Sequence, residues 1–158
     1  MRTGDRRPHL VIVGTGPAET GLRRLVEELG LTDHVHFAGF RGDVPSVLAA
    51  TDILCLPSVS EGLPYAVLEA CRQAVPVLAS RLPGVADLFT EGETMFFTPP
   101  GDPAALRDRL VELLDAPEKR RAVGRAARRH VEAQLTTDAM AERVLNAYRR
   151  EGTHGAKG

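Results

Sequence analysis

Short apolar runs alternate with helical stretches through the first two thirds of this chain, and the remainder reads as helix alone. The runs are His9–Val13, Val35–Ala38, Ile53–Leu56, Pro76–Ser80 and Met95–Thr98. They are nearly continuous in apolar character rather than alternating, as expected of strands in a parallel sheet covered on both faces. Between the first two, the spacing predicts a helix from about Pro17 to Leu29, with Leu22, Leu25, Val26 and Leu29 on one face and Gly30 as its stop. Short helices are predicted from Asp43 to Ala50 and from Gly84 to Phe89, and a longer one from Pro64 to Ala74. Pro64 fits a first helical turn, where its missing N–H would have had no partner. Strand and helix in regular alternation predict an α/β fold with a Rossmann-like parallel sheet.

From Asp102 onward the pattern is helical only. Asp102 suits an N-cap with Pro103 at the first helical position, and Leu106, Leu110, Leu113 and Leu114 form a stripe. Pro117 opens a helix carrying Val123, Ala127 and Val131, and Thr136 or Thr137 caps a last one bearing Met140, Val144, Leu145 and Tyr148. Residues 9–150 therefore read as one Rossmann-like domain with C-terminal helices. Residues 1–8 and the glycine-rich tail 151–158 are expected to be disordered.

The chemistry concentrates in Glu61-Gly-Leu-Pro-Tyr-Ala-Val-Leu-Glu69, between the third and fourth strands. Glu61 falls on the loop entering a helix, and Glu69 lies between one and two turns inside it at roughly 3.6 residues per turn. A strand, a glycine-containing loop and a helix N-terminus make a pocket at the carboxyl end of a parallel sheet, where free N–H groups bind anions or hydroxyls. Two carboxylates flanking such a pocket suit a sugar-bearing ligand and would repel a bare phosphate.

Five segments in order carry a family resemblance. Pro57-Ser58-x-x-Glu61-Gly62-x-Pro64-x-x-x-Leu68-Glu69-Ala70, then Pro76-Val77-x-Ala79-Ser80, resembles glycosyltransferase family 4, retaining enzymes of the two-domain GT-B fold. Val11-Ile-Val-Gly-Thr-Gly-Pro17, Val35-His-Phe-Ala-Gly39 with Asp43-Val44, and Pro100-Gly101-Asp102 resemble further strand ends and turns of that family. The resemblance implies transfer of a hexosyl group from a nucleotide diphosphate sugar, with a UDP-, GDP- or ADP-sugar as donor substrate and no other cofactor or metal. Glu61 is implied as the catalytic group beside the donor sugar, and Glu69 as the acceptor of the ribose hydroxyls. Gly62 and Leu63 would turn their N–H groups to the sugar, with Ser58 and Gly16 also at the nucleotide-sugar site. Each charge-assisted bond to the ribose would contribute about 1.5–3 kcal/mol.

Departures from the family pattern matter as well. The family's C-terminal domain opens with a strand and a G-R-x…K-G segment whose cations clamp the diphosphate, and this sequence shows neither. In the doubly wound order 3-2-1-4-5-6 that first strand is central, so the sheet is expected to have a gap or a rearranged pairing. Read this way, the chain is an N-terminally truncated donor-binding domain. It is expected to lack activity alone, to need an N-terminal domain or a complementary chain as partner, and to self-associate. The alternatives are a non-catalytic nucleotide-sugar-binding module completed by a partner chain, or an inactive gene fragment. Ala74 replaces a glycine, Pro83-Gly84 a glycine pair, Asp87 a glutamate and Met95 a glycine.

Composition narrows the classes. A net charge of −1 gives no reason to expect nucleic acid as a partner. Lys119, Arg120, Arg121, Arg125, Arg128 and Arg129 make a basic helix face, but no aromatics interleave with them and a solvated face is the simpler reading. Gly14-x-Gly16 invites a dinucleotide reading, yet the third glycine position holds Glu19, an acid that would face the pyrophosphate. The five histidines show no ligand spacing. Cys55 and Cys71 lack metal or redox spacing, and no signal-peptide run or membrane span is evident. Together these point to a cytoplasmic setting.

Overall fold

The computed structural model describes residues 8–135. The helix anticipated after Thr136, with its stripe of Met140, Val144, Leu145 and Tyr148, lies outside the described residues, as does the tail. The described residues fall into two compact units that divide between Val47 and Leu48, within the span read as a single domain. The architecture is α/β with parallel sheets, as the alternation of runs predicts.

The first unit is a βαβ arrangement: β1 (Leu10–Val13), α1 (Glu19–Glu28) and β2 (Val35–Gly39). The strands pair in parallel, Leu10 opposite Val35 and Ile12 opposite Phe37, with an irregularity before Val13 meets Gly39. Parallel pairing demands a crossover, and α1 supplies it. Gly30 ends α1 in a left-handed conformation (φ 64°), which costs glycine little. The Gly30 N–H bonds the Glu27 carbonyl at 3.0 Å and the Leu31 N–H bonds that of Val26 at 2.9 Å, the pair of bonds that defines a Schellman stop. The apolar stripe of α1 is less covered than its periodicity suggests. No residue of α1 is buried, and Leu22, Leu25 and Leu29 are 40%, 47% and 60% exposed. One helix and two strands have too little surface between them to enclose a core.

The second unit holds β3 (Leu54–Leu56), α3 (Tyr65–Arg72), β4 (Val77–Ser80), α4 (Pro83–Ala86), β5 (Phe96–Thr98), α5 (Pro103–Leu114) and α6 (Pro117–Gln134). The short helix α2 (Val44–Ala49) lies at the division between the units. Its three strands run parallel in the order β3-β4-β5, with Cys55 opposite Leu78 and Ala79 opposite Phe97. Every residue of the central strand β4 is buried. Leu78, Phe96, Leu113 and Val123 form the core, with Ile53, Cys55, Leu106 and Leu110 packed around it. Thus the stripe read on α5 does face the sheet, and β4 and β5 are buried throughout, whereas β3 is half-buried.

Among the described residues no ladder joins the two sheets: β1 pairs only with β2, and β3 only with β4.

Caps and close approaches fix the helices of the second unit. The Asp102 carboxylate accepts from the Ala105 N–H at 2.9 Å, as its position before Pro103 predicts. Arg120 of α6 donates to the Leu113 carbonyl at 2.5 Å and to that of Leu114 at 2.9 Å, satisfying the C-terminal end of α5. Ala74, after α3, stands at φ 57°, the only non-glycine among the described residues with positive φ. A Cβ on Gly124 of α6 would lie 2.1 Å from the Ala74 carbonyl oxygen, so α6 reaches this turn only because position 124 is glycine. Two stability changes follow. Gly124→Ala is expected to cost about 1–3 kcal/mol through forced backbone displacement. Ala74→Gly is expected to gain about 1 kcal/mol by relieving the left-handed alanine. Denaturant unfolding checks both; an unchanged midpoint for Gly124→Ala would show that α6 does not depend on this contact.

Candidate functional site

The segment from Pro57 to Arg72 leaves the carboxyl end of β3, crosses a loop and becomes α3. Ser58 sits half-buried at the start of the loop, and its hydroxyl donates to the Glu61 carboxylate at 3.1 Å. That bond gives the exposed Glu61 side chain one defined partner three residues away. Gly62 follows, exposed on its outer side, with Leu63 half-buried. Beneath the loop lies α4: a Cβ on Gly84 would fall 2.6 Å from the Gly62 carbonyl oxygen and 2.8 Å from its carbonyl carbon. The loop is thus seated directly on the backbone of α4.

Pro64 is the N-cap of α3, extended at φ −66° and ψ 135°, and no side chain caps this helix. The sequence places it in the first turn; the structure puts it one position earlier, where an extended backbone precedes the helix. Val67, Ala70 and Cys71 form the buried face of α3. Glu69 points to the other side and is exposed, as is Tyr65 one turn before it. Glu61, Gly62, Leu63, Ser58 and Glu69 therefore share one strand–loop–helix segment, as the sequence predicts. Gly16 belongs to the other compact unit, in the loop between β1 and α1, where its carbonyl accepts from the Glu19 N–H at 3.1 Å.

Two recesses lie near the strand ends of the second unit. One of about 170 Å³ is bordered by Pro57 after β3, Ser80 at the end of β4, Thr98 at the end of β5 and Asp102. The other, about 430 Å³, lies beside the edge strand β5 and is bordered by Arg81, Glu91, Phe97 and Arg109. Neither is lined by Glu61 or Glu69. Glu91 is a residue that sequence reasoning missed. Its carboxylate accepts from the Phe97 N–H at 2.8 Å and from Arg81 at 3.4 Å, and it is also bonded by Arg109. It therefore occupies the outer edge of β5, where another strand would otherwise pair. No motif spacing marks it, because the three partners are 6, 10 and 18 residues away.

The cysteines take no part in such chemistry. Burial pushes the Cys55 thiol up to about 11 and that of Cys71 to about 12, which keeps both in the unreactive thiol form near neutrality. Among the described residues no group of three or more His, Cys, Asp or Glu could hold a metal ion. None of the helices among them is long and apolar enough to cross a membrane.

Residues 3–130 match the family described as glycosyl transferases group 1, and the chain belongs to that family. Its fold matches GT-B glycosyltransferase structures. It is 36% identical over 151 residues to a GDP-mannose-dependent monoacylated alpha-(1-6)-phosphatidylinositol monomannoside mannosyltransferase of Corynebacterium glutamicum, covering 90% of this chain and 39% of the relative. It is 30% identical over 139 residues to an N-acetyl-alpha-D-glucosaminyl L-malate synthase of Bacillus anthracis, covering 88% of this chain and 35% of the relative. The chain thus spans less than half the length of these relatives. Among solved structures, Anabaena HepE in complex with UDP superimposes with a TM-score of 0.80 at 22% identity, over 90% of this chain and 41% of that one. The same protein has also been solved with UDP-glucose.

The seating of the loop on α4 is directly testable. Gly84→Ala is expected to displace the loop, shifting the amide resonances of Gly62 and Leu63, and to cost about 1–3 kcal/mol of stability. Unmoved resonances at both positions would mean that the loop is held by other contacts.

Proposed function

We propose that this chain is the donor-binding part of a retaining glycosyltransferase of family 4, and that the full architecture transfers a hexosyl group from a nucleotide diphosphate sugar. The observation that carries the reading is the pair of exposed carboxylates, Glu61 and Glu69, on one strand–loop–helix segment of a family member. Glu69, on the outer face of α3, accepts hydrogen bonds from the two ribose hydroxyls. Glu61, oriented by Ser58, borders the donor sugar and stabilises the positive charge of an oxocarbenium-like transition state. Gly62 and Leu63 present their N–H groups to sugar hydroxyls, and Ser58 completes the donor contacts of this segment.

The activities of the relatives support this reading. One uses GDP-mannose, and the HepE structures contain UDP and UDP-glucose. They differ in sugar and base, so the shared element is a nucleoside diphosphate. For this chain the donor is therefore assigned by class, as a nucleoside diphosphate hexose.

The test is a calorimetric titration of the chain with UDP and GDP. Wild type is expected to bind at least one of them, and Glu69→Ala to lose about 2 kcal/mol or more of that affinity. Equal affinity in wild type and variant would remove the ribose role from Glu69.

A further inference from the structure

Tyr65 is 84% exposed, which equals Phe40 and exceeds every other large hydrophobic side chain among the described residues. Its hydroxyl has no hydrogen-bond partner among the described residues. It stands at the first position of α3, four residues after Glu61 and four before Glu69. Positions i and i+4 of a helix share a face, so Tyr65 lies on the Glu69 face, one turn nearer the helix start. In the proposed site Glu69 takes the ribose and Glu61 borders the sugar. The part of a nucleotide sugar that joins ribose to sugar is its diphosphate, and Tyr65 occupies the corresponding interval of the segment.

The charges of the segment make the interval informative. Glu61 and Glu69 are both acidic, and no arginine or lysine occurs between Pro57 and Cys71. A diphosphate between two carboxylates needs hydrogen-bond donors, and a phenolic O–H is an uncharged one that approaches acids without an ion pair. Of the side chains from Glu61 to Ala70, only Tyr65 carries a donor.

We propose that Tyr65 is a donor-binding residue whose hydroxyl donates to an oxygen of the diphosphate between Glu61 and Glu69. This rests on the reading of Glu69 as the ribose acceptor, and the experiment separates the two. The chain and its Tyr65→Phe variant are titrated with UDP and with uridine, which has the ribose and no phosphate, by chemical-shift perturbation. Because the phenylalanine keeps the ring, and the position is exposed, only the hydroxyl is lost.

Tyr65→Phe is expected to weaken UDP about tenfold and to leave uridine unchanged, since a hydrogen bond to a charged oxygen is among the stronger ones. A second readout comes from the absence of tryptophan and the presence of just two tyrosines. In a Tyr148→Phe background, Tyr65 is the sole strong emitter, and its fluorescence should change saturably with UDP at the same midpoint. Unchanged UDP affinity in Tyr65→Phe, or equal weakening of UDP and uridine, overturns the proposal. If Glu69→Ala still weakens both ligands, the ribose reading stands without it. If wild type binds neither ligand, both readings fall together.

Discussion

Two contacts between backbones hold the loop and helix that carry the candidate carboxylates, Glu61 on the loop and Glu69 on α3. At the entry of α3 the Gly62 backbone rests on Gly84, where a methyl group would fall 2.6 Å from a carbonyl oxygen. At its exit the Ala74 carbonyl meets Gly124 of α6, where a methyl group would fall 2.1 Å away. Between them Val67, Ala70 and Cys71 anchor the inner face in the core. A short helix has little stability of its own, so its position is set by such tertiary contacts. The outer face, with Tyr65 and Glu69, is left free while its backbone is fixed at both ends. Binding groups placed on a fixed backbone lose less entropy when a ligand arrives, which is the use of preorganisation.

The two sheets show a different balance. In the second unit β4 has a neighbour on each side and is buried throughout. Glu91 occupies the outer edge of β5, supported by two arginines. In the first unit β1 has one neighbour among the described residues, and its residues Leu10, Val11 and Val13 are each about half exposed, at 50%, 49% and 44%. These side chains lie on both faces of the strand, because successive residues alternate. Backbone pairing and apolar cover are thus both incomplete at β1, and both are satisfied at β4.

Much of this was legible in the sequence. Each of the five apolar runs became a strand within about a residue of its expected bounds, because short apolar runs bounded by turn residues have few alternatives. The Asp102 cap followed from its place before Pro103, and Gly30 ended its helix for the conformational reason expected. The shared segment of Ser58, Glu61, Gly62, Leu63 and Glu69 followed from local spacing alone. What did not follow depends on distant pairs. Gly124 looks like a blemish in a helical pattern until Ala74 is seen beneath it, and those positions are 50 residues apart. Ala74 reads in the sequence as a replacement for glycine, but only its φ of 57° shows what the replacement strains. Glu91 reads as one acid in a polar turn. The stripe of α1 was legible as a pattern, whereas its exposure depends on how much surface is available to cover it.

In the proposed site the strand–loop–helix segment from Ser58 to Glu69 receives a nucleoside diphosphate. Mapping amide resonances of the chain against increasing UDP tests it most directly, because the map reports where the ligand sits as well as whether it binds. Saturable shifts centred on Gly62, Leu63, Tyr65 and Glu69 are expected. Shifts centred instead on Arg81, Glu91 and Arg109, with the α3 segment unmoved, would contradict it.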